Sequence, residues 1–442
     1  MLFGDGIALL GVGSMQSIRS VSRRFGRVYD ILWVIGGQAA QSLASFLTGL
    51  ALGRWVSQEA LGAYALGYTF CFLIISLGDT LIATPYTYFR ARQEGEQAQL
   101  FPAALLGTLL LGLVVALGLT LFHVLGTGIL AELWPALPVA VFCLVLREFL
   151  RRHFYVIGRS VSALLLDLLT AAGQLVLLGW LLASDRLNAN NVFWTIGAVS
   201  GIAFVVFLSM VQERFVAIGP GTLCKSLREF FGYGAWLVGG GLCHVASVQL
   251  YPWLALLGGG QGQTGLYAAC VALTNLINPL LIALTNYFRP RFIAHYKEAQ
   301  GHDFVAYVFR RALLFLIPAL VLLLVVTFEG GTLLRQLYGE PFTAGAPALV
   351  FLALGLLAVA CAAPVQLGLL ALRAPVSNVF YHGSILLVVV VLAYFWRDRL
   401  SLVTLAQIYL GSNVAGLLML LGLLQFFKKN NRGATGESIA SS

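Results

Sequence analysis

Apolar runs of about twenty residues recur along the whole chain, separated by short polar or charged stretches. A bilayer core about 30 Å thick takes about 20 apolar residues in a helix to cross. The runs therefore predict membrane-spanning helices over residues 31–53, 61–86, 101–126, 132–149, 161–184, 192–212, 231–257, 265–288, 309–328, 345–370, 377–395 and 402–427. The second run contains Gly62, Gly67, Gly78 and Pro85 and still reads as one span. Neighbouring membrane helices can satisfy the backbone groups that Gly and Pro free. Twelve spans, short loops and two tails use up the 442 residues and leave no room for a sizeable soluble domain.

Composition narrows the class. Apolar types make up 59% of the chain and charged types 10%, against about 25% charged in soluble domains. A cytosolic enzyme, a secreted disulfide scaffold and a disordered chain are excluded. The six Cys form no CxxC pair and five lie in apolar runs, so they read as small core residues. No metal and no cofactor is expected.

The net charge of +9 changes the picture through its placement. With twelve alternating spans, 22 of the 27 basic residues fall on the side that carries both termini and five on the other. This positive-inside bias puts both termini in the cytoplasm. It also predicts contact with anionic lipid and argues against a nucleic-acid partner. Residues 1–30 read as a basic cytoplasmic tail: a short apolar patch, Ile7 to Val12, suits an interfacial helix, and Arg19, Arg23, Arg24 and Arg27 follow. Met15 is an alternative start, and residues 431–442 read as a disordered end to a cytoplasmic tail over 428–442.

The two halves repeat. Trp33, Gly36 and Gly37 match Trp236, Gly239 and Gly240 at an offset of 203, as does GAYA from Gly62 against GLYA from Gly265. YFRAR from Tyr88 matches YFRPR from Tyr287 at an offset of 199. Six spans per repeat is an even number, so the repeats are parallel and related by an axis along the membrane normal. The expected architecture is an all-α polytopic membrane protein of two pseudo-symmetric six-helix bundles, residues 31–212 and 231–427, joined by a cytoplasmic linker over 213–230 and facing a central cavity.

The hairpin RWVSQEALGAYALGYTFCFLIISLGD, Arg54 to Asp79, resembles the first hairpin of polysaccharide exporters and O-antigen flippases. These belong to the multidrug/oligosaccharidyl-lipid/polysaccharide (MOP) exporter superfamily. The usual Gly-Pro of the turn is replaced by Val56-Ser57-Gln58-Glu59. The resemblance implies a MATE-like fold. It also implies a non-enzymatic flippase of the bacterial inner membrane that carries polyprenyl-pyrophosphate-linked oligosaccharide by alternating access, for O-antigen, exopolysaccharide or capsule. A glycan polymerase and export machinery would be its associates. No GxxxxGK[ST] motif occurs, so the energy would come from an ion (H⁺ or Na⁺), the membrane potential or the substrate gradient.

Such a substrate needs cations for its pyrophosphate, polar and aromatic faces for its sugars, and an opening for its tail. Gln38, Gln41, Ser42, Ser45 and Thr48 form one polar face of span 1, read either as cavity lining or as interhelical bonding. His244 takes the place of Gln41 in the second half, and Asn275 and Asn278 lie one turn apart in span 8. Arg147 and Arg151 share a face at the end of span 4, where they could meet a pyrophosphate or anchor the topology. Arg54 could receive it on the outer side, and Arg90 and Arg289 occupy the repeated YFR motifs as gate or anchor. Asp79 is a candidate for ion coupling or a structural pair. Asp167 is a similar candidate, with pairing to Arg159 or Arg152 as the structural alternative. The alternatives to a flippase are an ion-coupled multidrug exporter of the same fold and, further off, a membrane glycan polymerase or glycosyltransferase. The last two lack support, because the external loops are short and no DxD or paired carboxylate occurs.

Overall fold

The computed structural model describes residues 33–92, 97–126, 130–211, 213, 219–298, 304–372, 374 and 376–440. The N-terminal patch, its arginine cluster and the alternative start lie outside the described residues. Every regular element among the described residues is helical.

The helices are α1 (33–55), α2 (Gln58–Arg92), α3 (Gln97–Val124), α4 (Ala136–Val156), α5 (Ser160–Ala183), α6 (Ala189–Leu208), α7 (220–258), α8 (261–298), α9 (Phe304–Tyr338), α10 (Ala346–Ala371), α11 (Ser377–Phe395) and α12 (Leu402–Ala440). Nine helical stretches among the described residues are long and apolar enough to cross a bilayer, and one of them, Val238–Tyr296, holds two spans. It is interrupted at Gly259 and at Gly260, whose φ of 72° lies in the left-handed region that favours glycine. The chain doubles back there: Tyr267 returns to within 6.2 Å of the Tyr251 ring, and Thr264 Oγ1 donates to the Pro252 carbonyl at 3.3 Å. With α1 and α4 the set matches the twelve expected segments. Side chains fix the starts: Ser57 Oγ accepts from the Ala60 amide, and Asn188 Oδ1 from the Asn191 amide.

Three expectations are corrected. The charged run REFLRRHFY does not end α4 but lies inside it, with Arg147, Phe149, Leu150 and His153 buried. Acids from α2 and α5 compensate its charge within the bundle. Helix α7 starts at Pro220, inside the stretch expected as linker, because Pro at the first helical position loses no hydrogen bond. Helix α12 runs on to Ala440, so the expected disordered end is helical that far.

Two six-helix lobes, α1–α6 and α7–α12, repeat one arrangement. The second glycine of each Trp-x-x-Gly-Gly motif lets the first helix of its lobe approach the fifth. A Cβ on Gly37 would meet Asp167 of α5, and one on Gly240 would meet Val379 of α11. In the YFR motifs Arg92 lies over the Tyr88 ring at 4.8 Å and Arg291 over Tyr287 at 3.6 Å. The offset changes from 203 to 199 within the stretch where α2 has a π turn (Asp79–Ala83) and α8 a 3₁₀ turn (Asn275–Ile277). A wide turn takes more residues than a tight one, which agrees with the sign of the change. The third helices, α3 and α9, turn rows such as Leu113, Leu117, Leu121 and Leu313, Ile317, Leu324 outward, as lipid-facing helices should.

The lobes meet at the motif glycines. A Cβ on Gly62 would strike the Gln261 carbonyl, and one on Gly265 the Gln58 carbonyl, so equivalent residues exchange equivalent contacts across the pseudo-two-fold axis. On this hairpin face Gln58 Nε2 donates to the Pro341 carbonyl at 2.8 Å, and Gln261 Nε2 to Glu132 Oε1 at 2.5 Å. On the opposite, linker face α2 and α7 stay packed: Tyr88 stacks on Tyr233 at 4.5 Å and Phe89 on Phe230 at 6.0 Å.

Overpacking a close backbone contact costs about 1–3 kcal/mol. Gly62→Ala is therefore expected to loosen the hairpin-face seam. Labelling of a Gln261→Cys reporter by a membrane-impermeant thiol reagent should rise about tenfold or more in that background. An unchanged rate would mean the seam does not rest on the glycine contact.

Candidate functional site

Polar side chains that a bilayer would exclude gather in two places, one per lobe. In the first lobe they form a chain of alternating charge across α2, α4 and α5. Asp79, at the start of the π turn, meets Arg152 Nε at 2.9 Å. Glu148 pairs with Arg151 one turn away. Arg151 Nη1 lies 3.6 Å from Asp167 Oδ2, and Arg147 Nη2 donates to Asp167 Oδ1 at 2.7 Å. Asp167 is fully buried and Arg147 only 6% exposed. Three guanidinium groups and three carboxylates leave no net charge. The compensation is physical necessity, since an isolated ion in this surrounding would cost many kcal/mol.

The chain reaches α1 through its polar face. Gln41 Nε2 donates to the Asp167 carbonyl at 2.7 Å and to Thr170 Oγ1 at 2.5 Å. Gln174 Nε2 donates to Thr48 Oγ1 at 2.9 Å, and Arg151 Nη1 points at Gln38 Oε1 at 3.5 Å. Ser45 lies 3.4 Å from the Tyr68 hydroxyl. Gln41 and Thr48 thus tie α1 to α5, Ser45 faces α2, and Gln38 and Ser42 stay exposed.

In the second lobe the equivalent place holds imidazoles. His244 Nδ1 is 3.0 Å from His382 Nε2, and Ser247 Oγ is 3.0 Å from His382 Nδ1. The link from first to fifth helix is kept while its chemistry differs from Gln41 and Thr170.

The remaining candidates stand apart from both clusters. Arg90 pairs with Glu213 at 2.5 Å, within the first lobe and not across the gap. Arg289 is exposed and makes no ion pair among the described residues. Arg54 Nη1 donates to the Arg335 carbonyl at 3.1 Å, reaching the second lobe on the hairpin face. Asn278 Nδ2 donates to Asn275 Oδ1 at 2.9 Å across the 3₁₀ turn. Asp167 was expected beside Arg159 or Arg152. Its partners are Arg147 and Arg151, while Arg159 donates to the Met210 carbonyl. Sequence reasoning missed His382 and the pairing of Arg152 with Asp79. A titratable residue six positions into an otherwise apolar run was the available signal for His382. No group of three or more His, Cys, Asp or Glu suited to a metal ion occurs among the described residues.

Two lobes of six helices with a polar cluster in each can be compared with known structures. An inward-facing multidrug resistance MATE family transporter of the MOP superfamily aligns with a TM-score of 0.73 at 14% identity, over 90% of this chain and 96% of that one. The fold is that of MOP-superfamily transporters. The lipid II flippase MurJ, in an inward closed conformation, aligns at 0.67 and 13% identity, over 91% and 90% of the two chains. An outward-facing MATE family transporter aligns at 0.61 and 13%, over 92% and 95%. No protein-family model matches the sequence, and no curated protein matches it.

Removing one partner of a buried ion pair costs about 3–5 kcal/mol because the other charge is left alone. Arg147→Ala should therefore lower the melting temperature of the detergent-solubilised protein by several degrees, and Arg147→Ala with Asp167→Ala should recover part of the loss. A single variant with unchanged stability would mean that the Arg147–Asp167 pair does not hold the lobe together.

Proposed function

We propose that the protein is a flippase of the bacterial inner membrane that moves polyprenyl-pyrophosphate-linked oligosaccharide from the cytoplasmic to the outer leaflet, with both termini in the cytoplasm. The likeness of the fold to MOP-superfamily transporters supports the general activity. The observation that carries the substrate class is the state of the charges. Asp79, Glu148 and Asp167, the acids of the cluster between α2, α4 and α5, are each paired with an arginine, so this cluster offers no free acid to a cationic drug. An exposed cation, Arg289, lies on α8 near the linker face and makes no ion pair among the described residues.

The surroundings of Arg289 fit an amphiphile. Tyr88 in the first repeat is spent on the α2–α7 seam, whereas its equivalent Tyr287 is 54% exposed beneath Arg291. Leu280, Ile282 and Ile293 are exposed on the same helix. A guanidinium for the pyrophosphate, an aromatic ring for a sugar and apolar side chains for the polyprenyl tail thus occur on one helix, with Arg291 and not Arg289 on the side of Tyr287. The basic bias of the linker face supports a position of this helix end at the cytoplasmic leaflet, where a lipid-linked glycan would be assembled.

Cells lacking the protein are expected to accumulate polyprenyl-linked glycan on the cytoplasmic leaflet, read by leaflet-resolved labelling, and wild type should rescue them. A charge-assisted hydrogen bond contributes about 1.5–3 kcal/mol, so Arg289→Gln should slow flipping about ten- to a hundredfold while inserting normally. No accumulation, with raised sensitivity to cationic dyes, would replace the flippase with a drug exporter.

A further inference from the structure

The aromatic seam between α8 and α9 carries cations that no acid meets. Phe288, Phe292 and His295 of α8 pack against Tyr307 and Phe315 of α9. The Phe292 and Tyr307 rings lie 5.2 Å apart, His295 and Tyr307 4.0 Å, and Phe288 and Phe315 5.9 Å. Arg311 sits in this seam, its guanidinium 5.1 Å from the Tyr307 ring and 5.7 Å from the Phe288 ring. The side chain is partly buried, and its Nε is buried without a hydrogen-bond partner. Arg310 beside it is exposed. Neither makes an ion pair among the described residues. The sequence has no acid from Gln261 to Tyr296 or from Phe304 to Phe328, and Glu298 and Asp303 between them lie outside the described side chains.

The two helices set the height of these cations. The apolar run of α8 ends at Phe288, and the uncharged stretch of α9 begins at Ala312. Contact of Phe288 with Arg311 and Phe315 brings both ends to one level. A helix passes there from hydrocarbon to headgroups. Helical spacing sets the direction. Arg310 is one turn from Leu314, and Leu314 leads on to Ile317 and Val321, all exposed on the outward side of α9. Guanidinium groups thus stand at the head of an apolar row.

A snorkelling anchor explains one exposed arginine such as Arg310. It does not explain Arg311, which two rings hold in place. Cation–π attraction offsets part of its lost hydration. A partly buried cation still calls for an anion, and the protein supplies none. Phosphate fits the planar fork of donors that guanidinium presents. The first lobe is the internal comparison. There Arg90 is paired with Glu213, and α3 has no Lys or Arg from Gln97 to Val124.

We infer that Arg310 and Arg311, backed by Tyr307 and Phe288, bind the phosphate of an anionic bilayer phospholipid whose acyl chains lie along Leu314, Ile317 and Val321. A zwitterionic phospholipid carries its own cation beside the phosphate and meets two guanidinium groups less well. The bound lipid supplies the negative charge that the seam lacks and ties α9 to α8 through it. The site depends neither on the transported substrate nor on the leaflet assigned to the linker face.

Purified full-length protein in mild detergent is titrated with dioleoylphosphatidylglycerol and, separately, with dioleoylphosphatidylcholine, and bound lipid is counted by native mass spectrometry. Wild type should prefer the anionic lipid about tenfold or more, and Arg310→Gln with Arg311→Gln should lose that preference. Arg397→Gln with Arg399→Gln removes as much charge from exposed positions on the hairpin face and should keep it. No preference in wild type, or equal behaviour of the two double variants, would overturn the site. Melting temperature separates binding from folding. Without lipid, Arg310→Gln alone should melt as wild type does. Its rise on adding phosphatidylglycerol should be smaller than that of wild type, and a full rise would count against the site. Glycerol 3-phosphate, which has the phosphate without the chains, should not displace the lipid at equal concentration. Displacement would remove the acyl row from the site and make it one for free phosphate.

Discussion

Two glycines set the relation between the lobes. Gly62 lies against the backbone at Gln261 and Gly265 against the backbone at Gln58, and neither place has room for a side chain. In a membrane there is little hydrophobic gain from bringing two helices together, because lipid is as apolar as leucine. Close approach of small residues is what remains, and here it is used once from each side of a pseudo-two-fold axis. The reciprocal contacts of Gln58 with Pro341 and Gln261 with Glu132 follow from that placement.

Within each lobe the same problem is solved by polar pins. The first helix is tied to the fifth by Gln41 to Asp167 and Thr170, and by His244 to His382. The first lobe then adds three ion pairs whose charges cancel, a rigid arrangement in which each partner is costly to lose. The second lobe adds none at this place and has two imidazoles instead. Duplication kept the geometry and let the chemistry divide: ion pairs in one lobe, imidazoles in the other. Helix α8 also breaks the symmetry: Tyr287 is exposed beneath Arg291, whereas its equivalent Tyr88 is stacked on Tyr233 in the α2–α7 seam.

The number of spans, the duplication and the glycine motifs were all legible in the sequence, because each follows from local periodicity or self-similarity. Span 4 was legible only in part, since its charges conceal a helix that the apolar count ends too soon. The candidate residues were legible as polar groups in apolar runs, since such groups stand out wherever they occur. Their partners were not legible. Whether Asp167 meets Arg159 or Arg147, and whether His244 meets anything at all, depends on which helix faces span 5 or span 11, and on the rotation of each helix about its axis. A sequence fixes which residues need a partner in lipid, since burying a lone charge or donor is costly everywhere. Only the packed lobes decide which partner it is, because residues 126 or 138 positions apart become neighbours through helix contacts that no local pattern records.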